Sequence, residues 1–555
     1  PPPPLHTHTH THSLSTPQRR WEKVKRNAPW IGERIADRDA AGCAQVCTLP
    51  HAHCPGETSE DCLYLNIFTP TMNASASGTG MPVLIFIHGG HFLMGHSGGP
   101  AHTPGGHFRS DMVVVAMNYR LGALGFAYSE VDEPGDVGNG GGNASPLKGN
   151  YGLADQRLAM KWVQTNVHAF GGDPTRVTLV GADAGAISIA AHLVMDKSDG
   201  LFERVILQSP AFAIPLQTSK TFPALMLDFA AELGCATSPF NDTCVRKAAL
   251  ADIVAAQTSA AASTVKLPFT TFTPFVSRTA SGGEIAHQLL RQLETYARGG
   301  GVSDTTPLLL GTALNDGVRL VYELAPVPLD AAAADALVAR IFYTRTGTAA
   351  QSIIAQFPKA AAVAGDDMRP WLASLVADGL YRCSARRAAM TRDRAAVAPT
   401  PSPAPAFQYH FDHAWSFNKD LYSTIPVCQR KRVCGGSALP AVFGIDTLVH
   451  HLNVTSVVEP IEERLSDAML RYWHRFASSR DGTPKRGNTD CTACNKSAAL
   501  PLWTSINELH RPTVRFIAPG SDEPAADGVV VEEVGVDAAR CAFWDSTNYA
   551  WVDVR

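Results

Sequence analysis

A chain of 555 residues with 45% hydrophobic and 18% charged residues has ample material for a large core, which excludes disorder as the default state. A formal net charge of -4, with no block of Lys and Arg, argues against nucleic acid as a partner. Apolar runs such as Val83 to Ile87 and Val113 to Met117 fall far short of the roughly 20 residues of a membrane helix, so no transmembrane segment is expected in this chain.

The N-terminus reads Pro1 to Pro4, then His6-Thr7-His8-Thr9-His10-Thr11-His12. Residues 1–18 are expected to form a flexible polar arm, although alternate His side chains on an extended strand would share one face and suit a transition metal. There is no charged n-region followed by an apolar stretch, so any signal peptide is expected to have been removed already. A membrane anchor in a longer precursor stays open. Residues 19–555 read as one domain.

Met81 to Ile87 and Met112 to Met117 are short, apolar and β-branched, the pattern of fully buried strands. Val177 to Val180, Val205 to Leu207 and Pro307 to Leu310 repeat it. Helical stretches at Leu153 to Val167 and Ala184 to Val194 alternate with these strands, which predicts an α/β fold: a mostly parallel sheet with helices on both faces. The Ala-rich Leu329 to Val363 is expected to be a helical insertion, the Pro-rich Ala396 to Ala406 a loop, and Asp467 to Ser478 an amphipathic helix. There is no internal repeat.

Twelve Cys occur mostly in close sets: Cys43, Cys47, Cys54 and Cys62 in one loop, then Cys235 with Cys244, Cys428 with Cys434, and Cys491 with Cys494. Short closed loops of this kind suggest disulfides and an oxidising compartment. A zinc site using Cys491, Cys494, Cys428 and Cys434 is the lesser reading. Sequons at Asn73, Asn143, Asn241, Asn453 and Asn495 also favour the secretory route and glycosylation.

Val177-Thr-Leu-Val-Gly-Ala-Asp-Ala-Gly-Ala186 reads as strand, tight turn and helix, with Gly181 and Gly185 flanking the turn residue at the spacing of a nucleophile elbow. Small neighbours are needed because the turn is sharp and the helix packs close. Where such an elbow carries Ser, this chain has Asp183. Upstream, Ile87-His-Gly-Gly-His-Phe92 follows a buried strand and matches a Gly-rich oxyanion loop, except that His91 replaces a Gly. Helix N-termini favour anions, so Asp183 is expected to fold its carboxylate toward the amides of Gly90, His91 or Ala184.

From about Arg20 to Trp544 the chain resembles the cholinesterase and carboxylesterase family of α/β-hydrolases. The resemblance rests on Ser59-Glu-Asp-Cys-Leu-Tyr-Leu-Asn66, Asn118-Tyr-Arg-Leu-Gly-Ala-Leu-Gly-Phe126, Asn150-Tyr-Gly-Leu-Ala-Asp-Gln156, Phe170-Gly-Gly-Asp-Pro174 and Leu207-Gln-Ser209, in that order. It implies bridges Cys43 to Cys62, Cys235 to Cys244 and Cys383 to Cys541, leaving Cys47 and Cys54 as an extra local pair. It places the triad acid at Asp316, within Gly311-Thr-Ala-Leu-Asn-Asp-Gly317. Its His position, nine residues before Gly444, falls on Gly435, and no His occurs between Val427 and Gly444. His413 matches a different position of the family.

Two triad members are therefore replaced, because Asp183 and Gly435 cannot supply the hydroxyl nucleophile and the imidazole base. The resemblance to neuroligin-like, neurotactin-like and thyroglobulin-like relatives, which keep the fold without a complete triad, implies a secreted, non-catalytic protein. It would act in recognition, adhesion or as a structural component, with no cofactor, an unidentified protein partner and dimerisation through C-terminal helices. Incorporation into a larger extracellular or viral particle stays open. The alternative is a hydrolase with Asp183 as nucleophile and a relocated base, His91 or His96. A metal on Asp183, Asp316 and His91 is a third reading. A choline ester is disfavoured because Cys43 to Cys62 encloses no Trp, and the family's extra N-terminal strands before Arg20 are not recognisable.

Overall fold

The computed structural model describes residues 5–10, 20–26, 31–32, 39–49, 53–71, 80–99, 103–104, 111–129, 147–236, 242–263, 271–276, 285–296, 305–359, 367–390, 404–429, 432–445, 448–449, 457–479, 482–484, 503–506, 512–517, 530–534 and 536–553. A ten-stranded sheet runs through the molecule. Its strands are β1 (Leu5–His10), β2 (Tyr64–Thr69), β3 (Met81–Ile87), β4 (Val113–Met117), β5 (Gly172–Ala182), β6 (Arg204–Gln208), β7 (Leu308–Ala313), β8 (Ala406–Asp412), β9 (Pro512–Ile517) and β10 (Val530–Val534). The spatial order is β1-β2-β4-β3-β5-β6-β7-β8-β9-β10. Pairings from β4 through β9 are parallel, and the outer strands join antiparallel.

The continuous apolar runs of β3 and β4 follow from this architecture. Both faces of a parallel sheet are covered by helices, so no position faces water, and residues 83–87 and 113–117 are buried throughout. Helices α1 (Tyr151–Asn166), α2 (Ala184–Leu193), α3 (Gly317–Leu324), α4 (Cys383–Met390), α5 (Leu439–Phe443), α6 (Pro460–Ser478) and α7 (Val536–Ser546) include those that frame the site. The amphipathic helix expected from Asp467 begins earlier, at Pro460. Pro occupies its first turn, where no intrahelical N–H is needed, and Glu459 with Glu462 closes a capping box. The Ala-rich stretch carries helices at Ala331–Ile341 and Thr348–Gln356.

One sequence expectation needs correction. Within the segment expected to be a flexible arm, Leu5–His10 runs as β1, antiparallel to β2 from Leu5 opposite Thr69 to His10 opposite Tyr64. The outer edge of β2 would otherwise present unpaired backbone donors and acceptors, and an extended segment satisfies them. This strand closes the edge where the N-terminal strands of the family were not recognisable.

Disulfides join Cys43 to Cys62, Cys47 to Cys54, Cys235 to Cys244, Cys383 to Cys541 and Cys428 to Cys434. The last bond removes Cys428 and Cys434 as zinc thiolates. Cys491, Cys494 and the sequons at Asn73, Asn143, Asn241, Asn453 and Asn495 lie outside the described residues. Among the described residues no helix is long and apolar enough to cross a membrane.

Candidate functional site at the C-terminal ends of the strands

Strand register assembles the site. In the β3–β5 pair, Ile87 stands opposite Gly181, so the loop leaving β3 and the turn leaving β5 emerge side by side. Ala182 opposes Gln208 on β6, and Gln208 opposes Gly311 on β7, which brings Ser209 and Asp316 to the same edge. The carboxyl ends of parallel strands are where open α/β sheets form their sites.

Between β5 and α2, Asp183 has φ 52° and ψ -117°, a conformation disfavoured for a residue with a Cβ. The turn is held because its neighbours permit a very close approach. A Cβ on Gly185 would lie 1.9 Å from the Ile87 carbonyl oxygen, and one on Gly181 would lie 2.5 Å from the backbone of Gly185. Asp183 thus stands at the apex of a true elbow.

Its carboxylate turns into the neighbouring loop. Oδ2 accepts hydrogen bonds from the backbone amides of Gly90 and His91, each at 2.9 Å. The His91 imidazole stands over the other oxygen, with Nδ1 3.3 Å from Oδ1. Burial favours the neutral acid, but the His91 imidazole beside it and the two amides outweigh this, holding the carboxyl well below the usual range. About a third of the side chain (34%) remains open to the adjoining cavity. Ala184 follows directly as the first residue of α2, while the two donors to Oδ2 come from the Gly90–His91 loop.

Asp316 is only 4% exposed. Its Oδ1 accepts from the Ser209 hydroxyl at 2.8 Å and its Oδ2 from the Ala313 amide at 2.9 Å. Burial pushes its pKa up to about 7, the Ser209 and Ala313 hydrogen bonds and the Arg382 charge oppose this, and Asp183 adds to the rise.

Gly435 faces this acid. A Cβ built on it would lie 3.3 Å from Asp316 Oδ1 and, among the described residues, within 4 Å of no other surrounding heavy atom. The loop is tied in place by the Asn315 amide donating to the Val433 carbonyl and the Val433 amide donating to Asn315 Oδ1, both at 3.0 Å. The Cys428–Cys434 bond and the 2.7 Å contact between the Tyr422 hydroxyl and Ser437 Oγ brace its two sides.

The structure therefore gathers Gly90, His91, Asp183, Asp316 and Gly435 around one cavity of about 120 Å³. Ser209, His53, Arg319, Tyr381 and Tyr422 also line it. The sequence had marked Ser209 only as part of a motif, and gave no role to the other four because they reach the cavity from separate loops and helices. Asp183, Asp316 and His91 do not converge as a metal site: among the described residues no group of three potential ligands does so. His413 pairs with Glu462 at 3.0 Å instead. His96 is buried beside Asp39 and His53, outside the residues that line the cavity.

A model of the carboxylesterase family matches residues 15–524. The chain belongs to the carboxylesterase family. Its relatives include the "Crystal protein" of Dictyostelium discoideum, 28% identical over 88% of this chain and 82% of that protein. The "cAMP-regulated D2 protein" of the same organism is 30% identical over 77% of this chain and 72% of its own length. "Neuroligin-like protein glit-1" of Caenorhabditis elegans is 40% identical over 35% of this chain and 26% of its own. Proteins named as esterases are relatives too, so family membership alone does not decide activity.

Proposed function

We propose that this chain is a catalytically silent member of the carboxylesterase family, secreted and glycosylated, that works by binding another protein. The observation that carries this reading is the Asp183 carboxylate on the Gly90 and His91 amides. In an acyl-transfer enzyme such amides must be free to receive the oxyanion of the tetrahedral intermediate. Here they hold a resident anion at the position of the nucleophile. Gly435 offers no imidazole to accept a proton or return it to a leaving group. With the chemistry silent, function falls to the surface, and dimerisation through C-terminal helices belongs to the same proposal. The named likeness to a neuroligin-like protein supports it.

A paired assay tests the reading. Simple acyl and alkyl substrates are offered to the natural chain, then to a variant carrying Asp183→Ser and Gly435→His together. The expected result is turnover only in the double variant. A natural-chain activity abolished by Asp183→Ala would overturn the proposal. A saturable partner in a cell-surface pull-down is expected alongside.

One observation favours a second reading. With Oδ2 in the amide cradle, Oδ1 is the oxygen an Asp nucleophile would use on an alkyl substrate, and His91 Nδ1 stands 3.3 Å away as a relocated base. The same imidazole contact holds down the basicity of that carboxylate, which weakens it as a nucleophile. Alkyl halides and epoxides in the assay above distinguish the two.

A further inference from the structure

The space in front of Gly435 has a chemistry of its own, whatever the chain's catalytic status. Among the described residues, Oδ1 of Asp316 takes one hydrogen bond, from Ser209, whereas an ionised carboxylate oxygen can accept two. Among the described residues, a Cβ built on Gly435 would meet Oδ1 alone, at 3.3 Å. Across the same cavity stands the second carboxylate, Asp183. The cradle that would take an anion is already filled by Asp183 Oδ2. The guanidinium groups nearby have carboxylate partners of their own: Arg319 Nε donates to Glu323 at 2.6 Å on its own helix, and Arg382 pairs with Asp378 at 2.9 Å. Tyr381, Tyr422 and Leu439 supply aromatic and apolar wall.

We infer that the cavity between Gly435, Asp316 and Asp183 is a binding site for a small planar nitrogen cation of the imidazolium type. A five-membered ring carrying N–H groups on two edges donates one to Asp316 Oδ1 and directs the other toward Asp183, while its faces meet the tyrosine rings. An anion of the same size finds two carboxylates and the Gly90 and His91 amides already taken. An apolar ring leaves the acid without its second hydrogen bond. The loop is preorganised by the Asn315–Val433 pair of hydrogen bonds and by the Cys428–Cys434 bond, so little ordering opposes binding. Both carboxylates line the same cavity, and a cation between them relieves their repulsion.

The test is calorimetric titration of the whole chain with imidazole, 1-methylimidazole, thiophene and acetate, repeated on Gly435→Val with its fold checked by near-ultraviolet circular dichroism. Imidazole is expected to bind at one saturable site, and 1-methylimidazole, which lacks one N–H, more weakly. Thiophene and acetate are expected to give no saturable heat. Gly435→Val is expected to lose at least about tenfold in imidazole affinity, because its side chain fills the space before Asp316. No saturable heat with imidazole, equal affinity in a folded Gly435→Val, or acetate binding as well as imidazole would each overturn the inference. The comparison among the four ligands stands on the natural chain alone if that variant does not fold. None of these readouts involves turnover, so their failure is distinct from failure of the functional proposal.

Discussion

Asp183 and His91 meet twice: the His91 amide donates to one carboxylate oxygen at 2.9 Å, and the His91 imidazole stands 3.3 Å from the other. Gly90 donates to the first oxygen as well, so two adjacent residues of one loop hold the elbow carboxylate. Backbone and side chain act together because Gly90, at φ +110°, turns the loop so tightly that a Cβ there would lie 2.2 Å from the Met94 carbonyl oxygen.

Removing the carboxylate should reopen the cradle. Asp183→Ala leaves the amides of Gly90 and His91 without their acceptor, at a cost of about 1–3 kcal/mol in unfolding free energy. The variant should bind acetate where the natural chain does not. Urea denaturation and acetate titration check the two parts, and an Asp183→Ala protein indifferent to acetate would show that the amides are not a usable anion site.

Asp316 and Asp183 should pull stability in opposite directions with pH. Asp183 has a lowered folded pKa, so its contribution is present above the ordinary carboxylate value and is lost as pH falls through the folded one. Asp316, raised to about 7, stabilises the fold while it stays protonated and loses that contribution as pH rises through about 7. Asp316→Asn mimics the protonated acid. Relative to the natural chain it should gain a few kcal/mol on going from about pH 5 to about pH 8, measured by urea unfolding at each pH. Equal pH dependence of both proteins would contradict this.

Disulfides of very different span should differ in worth. Cys383 and Cys541 are 158 positions apart and join α4 to α7, whereas Cys428 and Cys434 are 6 apart. Loop-closure entropy predicts a loss of about 5 kcal/mol when the first pair is replaced by Ala and about 2 kcal/mol for the second. Paired denaturation curves test the ranking.

Close approach at the elbow should make Gly185 irreplaceable. Gly185→Ala drives a Cβ into the Ile87 carbonyl and should cost roughly 3 kcal/mol or more. At Gly200, where a Cβ would meet no other described residue within 4 Å beyond its chain neighbours but φ is +71°, Ala should cost about 1–2 kcal/mol through backbone strain alone. Melting temperatures of the two variants give the comparison.

Much of the framework was legible from local pattern. β3 and β4 were visible because strands buried on both faces must be continuously apolar, and the elbow because Gly181 and Gly185 at that spacing suit a helix packed on a strand. β9 and β10 were not anticipated. β10 reads Val530-Val-Glu-Glu-Val534, a short mixed run with the composition of an edge strand, and only pairing with β9 gives it a place. Polar β1 escaped for the same reason: a His-Thr alternation carries no hydrophobic signal, and its partner lies over fifty residues along the chain, at β2.

The sequence by itself determined which groups the site contains: a carboxylate at the elbow, a second at position 316, no imidazole at position 435. Those are identities, fixed by covalent chemistry. Only the tertiary structure decided what the groups do to one another. Whether Asp183 meets an amide or open solvent depends on the Ile87–Gly181 register that sets two loops side by side. The same is true of Asp316, whose acidity is set by burial and by Ser209, a neighbour 107 positions away in the chain. Hydrogen bonding and desolvation act over a few ångströms in space, so a linear pattern can name the residues without fixing which oxygen each amide holds.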